Sequence, residues 1–183
     1  MNILIVVDMQ NDFVSGALGS ADAQAIVGDV AARVREAADA GERVVFTLDT
    51  HSEDYLNTHE GKCLPVAHCL RGTEGWQLAP EIEEARKACP GAEVVEKISF
   101  GSVQLAHALA REAASHGCAG GRGVNIELCG LCTDICVVSN ALLLRAALPE
   151  AEIRVQSRLC AGVTQARHNA ALETMRACHV EVI

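Results

Sequence analysis

The chain has 183 residues, half of them apolar and only 3% aromatic, with a net charge of −9. That length can bury a substantial core without staples, and the acidic balance argues against nucleic acid or an anionic membrane surface as a partner. No stretch reaches the roughly 18 consecutive apolar residues a membrane span needs. No basic region precedes the first apolar run, which argues against a secretory leader. The nine cysteines, an odd number, then read as reduced thiols of a cytoplasmic protein. Neither an internal repeat nor a linker is visible, so the chain reads as one domain over residues 1–183.

Taken in order, strand and helix alternate. Ile3–Val7 is a continuous apolar strand ending at Asp8, and residues 22–40 carry Ile26, Val30 and Val34 at helical spacing before Gly41. Val44–Leu48 is a second strand ending at Asp49. Residues 50–79 are a long irregular stretch, and Pro80 opens a short helix. Glu93–Val95 is a third strand ending near Lys97, followed by a helix over 102–115. Alternating Val124, Ile126 and Leu128 predict a buried strand that stops at Gly130. An apolar helical pattern through Val137, Val138, Ala141, Leu142 and Leu144 comes next. Thr133 and Asp134 stand where an N-cap belongs, so Cys136 is expected in the first turn, where the helix dipole lowers a thiol pKa. Glu152–Gln156, a helix over 163–177 and a terminal strand His179–Ile183 complete the chain. Strands separated by helices imply right-handed crossovers and a parallel α/β sheet covered on both faces, a three-layer Rossmann-like arrangement.

In such sheets ligands bind beyond the carboxyl ends of the strands. Asp8, Asp49, Lys97 and Cys136 each follow a strand, so the topology sends all four into one crevice. Each alone has an ordinary reading: a turn aspartate, a solvated lysine, a core cysteine. Together a carboxylate, an ammonium and a thiol suit acyl transfer, the carboxylate moving the thiol proton and the ammonium keeping both partners charged. Cys129, Cys132 and Cys136 also permit a thiolate metal or iron–sulfur reading, disfavoured because no fourth ligand lies nearby. Asp49, His51, Glu60 and His68 offer carboxylate and imidazole donors of the kind that hold Zn²⁺, Fe²⁺ or Mn²⁺, though histidines in a loop are more often solvated. His168, on the last helix, reads as a surface or interface residue.

Three stretches carry a resemblance. Val6–Phe13 (VVDMQNDF), Glu96–Ser102 (EKISFGS) and Gly130–Val137 (GLCTDICV) are similar to the ordered signatures of the isochorismatase-like cysteine hydrolases. The resemblance spans nearly the whole chain. It implies a six-stranded parallel sheet and a triad on Asp8, Lys97 and Cys136. It further implies a non-proline cis peptide at Leu131–Cys132, with the backbone N–H groups of Cys132 and Cys136 as an oxyanion hole. Phe13 matches a wall of the substrate pocket, and Leu131 adjoins it. Within that family the stretch 49–75 resembles the nicotinamidases, whose metal site has an Asp-x-His and a later histidine before Gly-Thr-x-Gly, here Gly72–Gly75. Asp49, His51 and His68 match directly. Glu60 is the expected fourth ligand, with His59 the alternative, and zinc the expected ion.

The implied activity is hydrolysis of nicotinamide to nicotinate and ammonia through a cysteine thioester, in a protein that self-associates. Nicotinamidases usually carry an aromatic just before the later histidine, whereas Leu64–His68 holds none. A different small amide or ureido substrate is therefore the alternative. A catalytically silent metal- or redox-sensing module is the reading from another class.

Overall fold

A computed structural model describes all residues, 1–183. Six strands form one parallel sheet: β1 (Asn2–Val7), β2 (Arg43–Asp49), β3 (Glu93–Lys97), β4 (Asn125–Leu131), β5 (Glu152–Ala161) and β6 (Glu181–Val182). Their spatial order is β3-β2-β1-β4-β5-β6, so the winding reverses between β1 and β4. Side chains of β1 alternate between two cores. Ile3, Ile5 and Val7 face one with Leu109, Leu144 and Met175, and Leu4 and Val6 face the other with Val30, Val34 and Ile82. Each fully buried aliphatic chain contributes about 1.5–3 kcal/mol, which is why the central strand is apolar throughout.

The first of these cores is covered by α6 (Val103–Ser115), α7 (Val138–Ala147) and α8 (Gln165–Ala177). The second is covered by α1 (Asn11–Val14), α2 (Ala21–Ala25), α3 (Val27–Asp39) and α5 (Pro80–Lys87); α4 (His59–Cys63) lies in the long β2–α5 connection. No helix is long and apolar enough to cross a membrane.

Several elements differ from the sequence expectation. The helix expected over 22–40 is two helices that meet at Ile26, which ends one and starts the next. β5 runs to Ala161 because its register jumps: Leu128 pairs with Val155, but Gly130 pairs with Cys160. The intervening polar Gln156, Ser157 and Arg158 hide this continuation from a hydrophobicity pattern. The last strand shrinks to Glu181–Val182 because His179 takes φ 61°, while Val180 N–H bonds back to Met175.

The turn after β4 also departs from expectation. Thr133–Val137 is a π-helical turn, started at Cys132 without any side-chain cap. Ile135 and Val137 both donate their N–H groups to the Cys132 carbonyl. Single π-turns of this kind occur frequently at functional sites.

Candidate active site

Asp8 leaves β1 with φ 47°, an uncommon conformation for a residue with a side chain and one that concentrates at functional positions. Its N–H donates to the Thr47 carbonyl at 3.2 Å, and the Thr47 hydroxyl donates to Asp8 Oδ1 at 2.6 Å. Oδ2 has no aligned hydrogen-bond donor and lies 2.6 Å from Lys97 Nζ. The same ammonium donates to Asp49 Oδ1 at 3.0 Å and to Cys136 Sγ at 3.4 Å. All four side chains are buried. They come from the ends of β1, β2, β3 and the turn after β4, and Asp8 and Cys136 flank the point where the strand order reverses.

The electrostatics follow from burial. Burial opposes the charge on Lys97, but Asp8, Cys136 and Asp49 outweigh it and raise its pKa, so it is held as the cation. Burial raises the Asp8 carboxyl despite Lys97, a direction that suits a base working nearer neutral pH. The Cys136 thiol is pushed well up, first by burial and then by the Asp8 charge, with Lys97 opposing. This corrects the expectation of a thiol activated by a helix N-terminus. Cys136 sits inside the π-turn ahead of α7, with Asp8 placed to take its proton and Lys97 to hold the resulting anion.

Thr133 and Asp134 do not cap the helix. The Thr133 hydroxyl is hydrogen-bonded to His168 Nδ1 at 2.8 Å, and Asp134 Oδ1 accepts from Val163 N–H at 2.9 Å. The Leu131–Cys132 peptide is cis, as the family resemblance implies. The N–H of Cys132 meets no protein acceptor, which leaves it free for a bound oxygen. Leu131 is buried and shares the α3-side core with Phe13. Phe13 stands edge-on to His68 with ring centroids 5.5 Å apart.

Beside this cluster Asp49, His51, Glu60 and His68 offer four donor atoms within 4.8 Å of one another. Neighbouring donors lie 3.0 Å (His51–Asp49), 3.6 Å (His68–Asp49), 3.7 Å (His51–Glu60) and 3.8 Å (His68–Glu60) apart. Ligands at zinc–nitrogen and zinc–oxygen distances around a tetrahedron stand about 3.3 Å apart, so the spacing fits a small divalent ion. His68 Nδ1 donates to the Val66 carbonyl at 2.8 Å, which leaves Nε2 facing the cluster. Burial and the Asp49 charge raise the Glu60 carboxyl, a repulsion that a cation would relieve. His59 turns to Cys63 Sγ at 3.8 Å instead, so Glu60 is the residue the fold brings in. One carboxylate, Asp49, faces Lys97 through Oδ1 and the two histidines through Oδ2.

The sequence reading missed the residues that hold this arrangement. Tyr55, fully buried, sits 4.6 Å from the His51 ring and 4.9 Å from the His68 ring, and donates its hydroxyl to Leu64 O. Gln10, also fully buried, brackets Asp49 by accepting from its N–H and donating to its carbonyl. Asp12 accepts from Cys69 N–H and so anchors the loop after His68. Trp76, with no place in the sequence pattern, donates its indole N–H to Thr50, between Asp49 and His51.

The model of the isochorismatase domain matches residues 2–183. The chain belongs to the isochorismatase family. A nicotinamidase/pyrazinamidase of Mycobacterium tuberculosis is 30% identical to it, covering 100% of this chain and 98% of that protein. The crystal structure of a nicotinamidase/pyrazinamidase from Bacillus subtilis is 25% identical, with a TM-score of 0.82 over 100% of this chain and 99% of that one. A pyrazinamidase of Pyrococcus horikoshii, solved in complex with zinc, shares the fold at 24% identity and a TM-score of 0.80, covering 100% and 98%. Family membership makes the chain a hydrolase.

Proposed function

We propose that the protein is a cysteine amidase of the nicotinamidase type, converting nicotinamide and water to nicotinate and ammonia. The observation that carries this reading is the single Lys97 ammonium shared by Asp8, Cys136 and Asp49. It joins a thiol and its base to a carboxylate that also meets two histidines. In this reading Asp8 takes the Cys136 proton, and the thiolate attacks the carboxamide carbon. Negative charge moves to the amide oxygen, which the Cys132 and Cys136 N–H groups receive. The C–N bond then breaks, Asp8 protonates the leaving nitrogen as ammonia, and a thioester remains. A water molecule gives a proton to Asp8 and adds to the thioester carbon; the thiolate departs and recovers that proton as the acid is released.

Asp49, His51, Glu60 and His68 would hold a divalent ion, zinc by the chemistry of the donor set, which supplies a Lewis acid to a ring nitrogen. Asp49 orients Lys97, and Phe13 stands at the His68 side as a ring wall. The relatives named above support this reading.

The test is ammonia release from nicotinamide, pyrazinamide, benzamide and small ureido compounds. Turnover of the first two above the rest is expected. Release only from other amides would overturn the nicotinamide reading in favour of the second one, an amidase for a different small amide. That reading draws on the aromatic-free segment Leu64–His68. No release from any of them would leave a silent binding module.

A further inference from the structure

The π-turn that carries Cys136 has no cap of its own, so something outside it must fix its aim. The Asn140 amide of α7 holds the Cys136 carbonyl at 2.8 Å, and two further bonds tie the first residues of the turn to the segment that enters α8. The Thr133 hydroxyl, fully buried, is bonded to His168 Nδ1 at 2.8 Å, and the Asp134 carboxylate accepts the Val163 N–H at 2.9 Å. The backbone between them is in contact with both. A Cβ at Gly162 would fall 2.9 Å from Asp134 Oδ1, 2.9 Å from His168 Cβ and 3.0 Å from His168 N, so only glycine lets α8 approach so closely. His168 is not needed to start its own helix, because the Thr164 hydroxyl already accepts from Arg167 N–H. Without His168 the buried Thr133 hydroxyl would have no partner, which is an unfavourable state for such a group.

We infer that His168 is a positioning residue for the reaction. It locks Thr133, and through it the cis turn, so that the Cys132 N–H faces the oxygen and Cys136 Sγ the carbon of the same substrate carbonyl. Burial keeps the imidazole on the neutral side of its ordinary range, which leaves it a stable hydrogen-bond partner. The inference rests on Cys136 being the nucleophile, and it assigns a role to a residue whose pattern alone suggests a surface histidine.

The experiment compares His168→Ala, His168→Asn and Thr133→Val in the full chain. Two readouts are followed: amide turnover, and the rate at which iodoacetamide alkylates Cys136, resolved by peptide mass spectrometry. Asparagine places a polar atom near where Nδ1 lies, so His168→Asn is expected to stay within about threefold of wild type in both. His168→Ala should lose roughly 10–100-fold in kcat with KM little changed, since misplacement of reacting groups acts on the chemical step. Thr133→Val should lose a similar factor, and the double variant His168→Ala/Thr133→Val should lose no more than either single one.

Unchanged kcat in His168→Ala, an equal loss in His168→Asn, or multiplicative losses in the double variant would each overturn the inference. The alkylation arm needs no substrate. If no amide is turned over by the wild type, the functional reading fails while an altered Cys136 alkylation rate still decides the role of His168.

Discussion

Gly130 pairs with Val7 where β4 lies against β1, and Gly130→Ala tests whether that approach sets the site. At φ 112°, a Cβ on this residue would lie 2.1 Å from Val7 O and 2.8 Å from Val7 N. Ordinary heavy-atom contact is about 3.5 Å, so the two central strands must part by roughly 1 Å. The positive φ adds about 1–3 kcal/mol for a residue with a side chain, and overpacking between backbones adds a further 1–3 kcal/mol or so. A loss of about 4 kcal/mol is expected, which for a domain of this size lowers Tm by about 8–16 °C. Val7 precedes Asp8 and Gly130 precedes the cis turn, so the shift also separates base from thiol. A displacement near 1 Å can reduce turnover roughly 100-fold.

Thermal unfolding and ammonia release measure the two effects. Gly41→Ala is the control: φ there is 68° with nothing within 4 Å of the added Cβ, so it should lose only about 1 kcal/mol and keep full activity. A Gly130→Ala protein that melts within about 3 °C of wild type and turns over normally would refute the reasoning.

Cys136→Ala should abolish turnover, a loss of roughly 10³-fold or more, with Tm little changed; Cys132→Ala should stay within about tenfold because its proposed role is a backbone N–H. Equal losses at both positions in kcat measurements would favour a thiolate cluster instead. Lys97→Met leaves two buried carboxylates without their ammonium and should cost about 3–5 kcal/mol at pH 7 in urea titrations. Burial already holds Asp8 above its unfolded value, and the variant raises it further. A carboxyl raised on folding stabilises while protonated and loses that contribution as pH rises from about 4 through its folded pKa. The variant should therefore be more stable at pH 5 than at pH 7, and the opposite slope counts against the argument. Chelation or His51→Ala should reduce nicotinamide turnover about 10–100-fold, with benzamide losing proportionally less. Full activity from protein that metal analysis shows to be metal-free would sink the metal-site reading.

Much of the site was legible because strand ends are. Apolar runs closed by Asp8, Asp49, Lys97 and Cys136 gave both the sheet and the crevice, since a parallel sheet gathers the carboxyl ends of its strands. The supports were not legible. Tyr55 and Gln10 act by contacts across the long β2–α5 connection, and His168 acts across 35 residues of chain. No local period encodes contacts of that kind. Thr133 and Asp134 carry the pattern of caps, because short polar residues before a helix usually are caps. Their side chains instead leave the turn for α8, because the turn is a π-turn whose N–H groups already share the Cys132 carbonyl.

Asp49 gives the molecule a property that neither cluster has alone. Its two oxygens serve different masters, the Lys97 ammonium on one side and the His51 and His68 imidazoles on the other. A cation drawn to the second oxygen competes for the same negative charge and frees Lys97 to pair with Asp8 and the sulfur anion. Thermodynamic reciprocity then requires that ionising the sulfur tighten the hold on that cation by an equal factor. Were a divalent ion held there, its occupancy and the ionisation of the thiol would form one linked equilibrium, read as a shift of either when the other is changed.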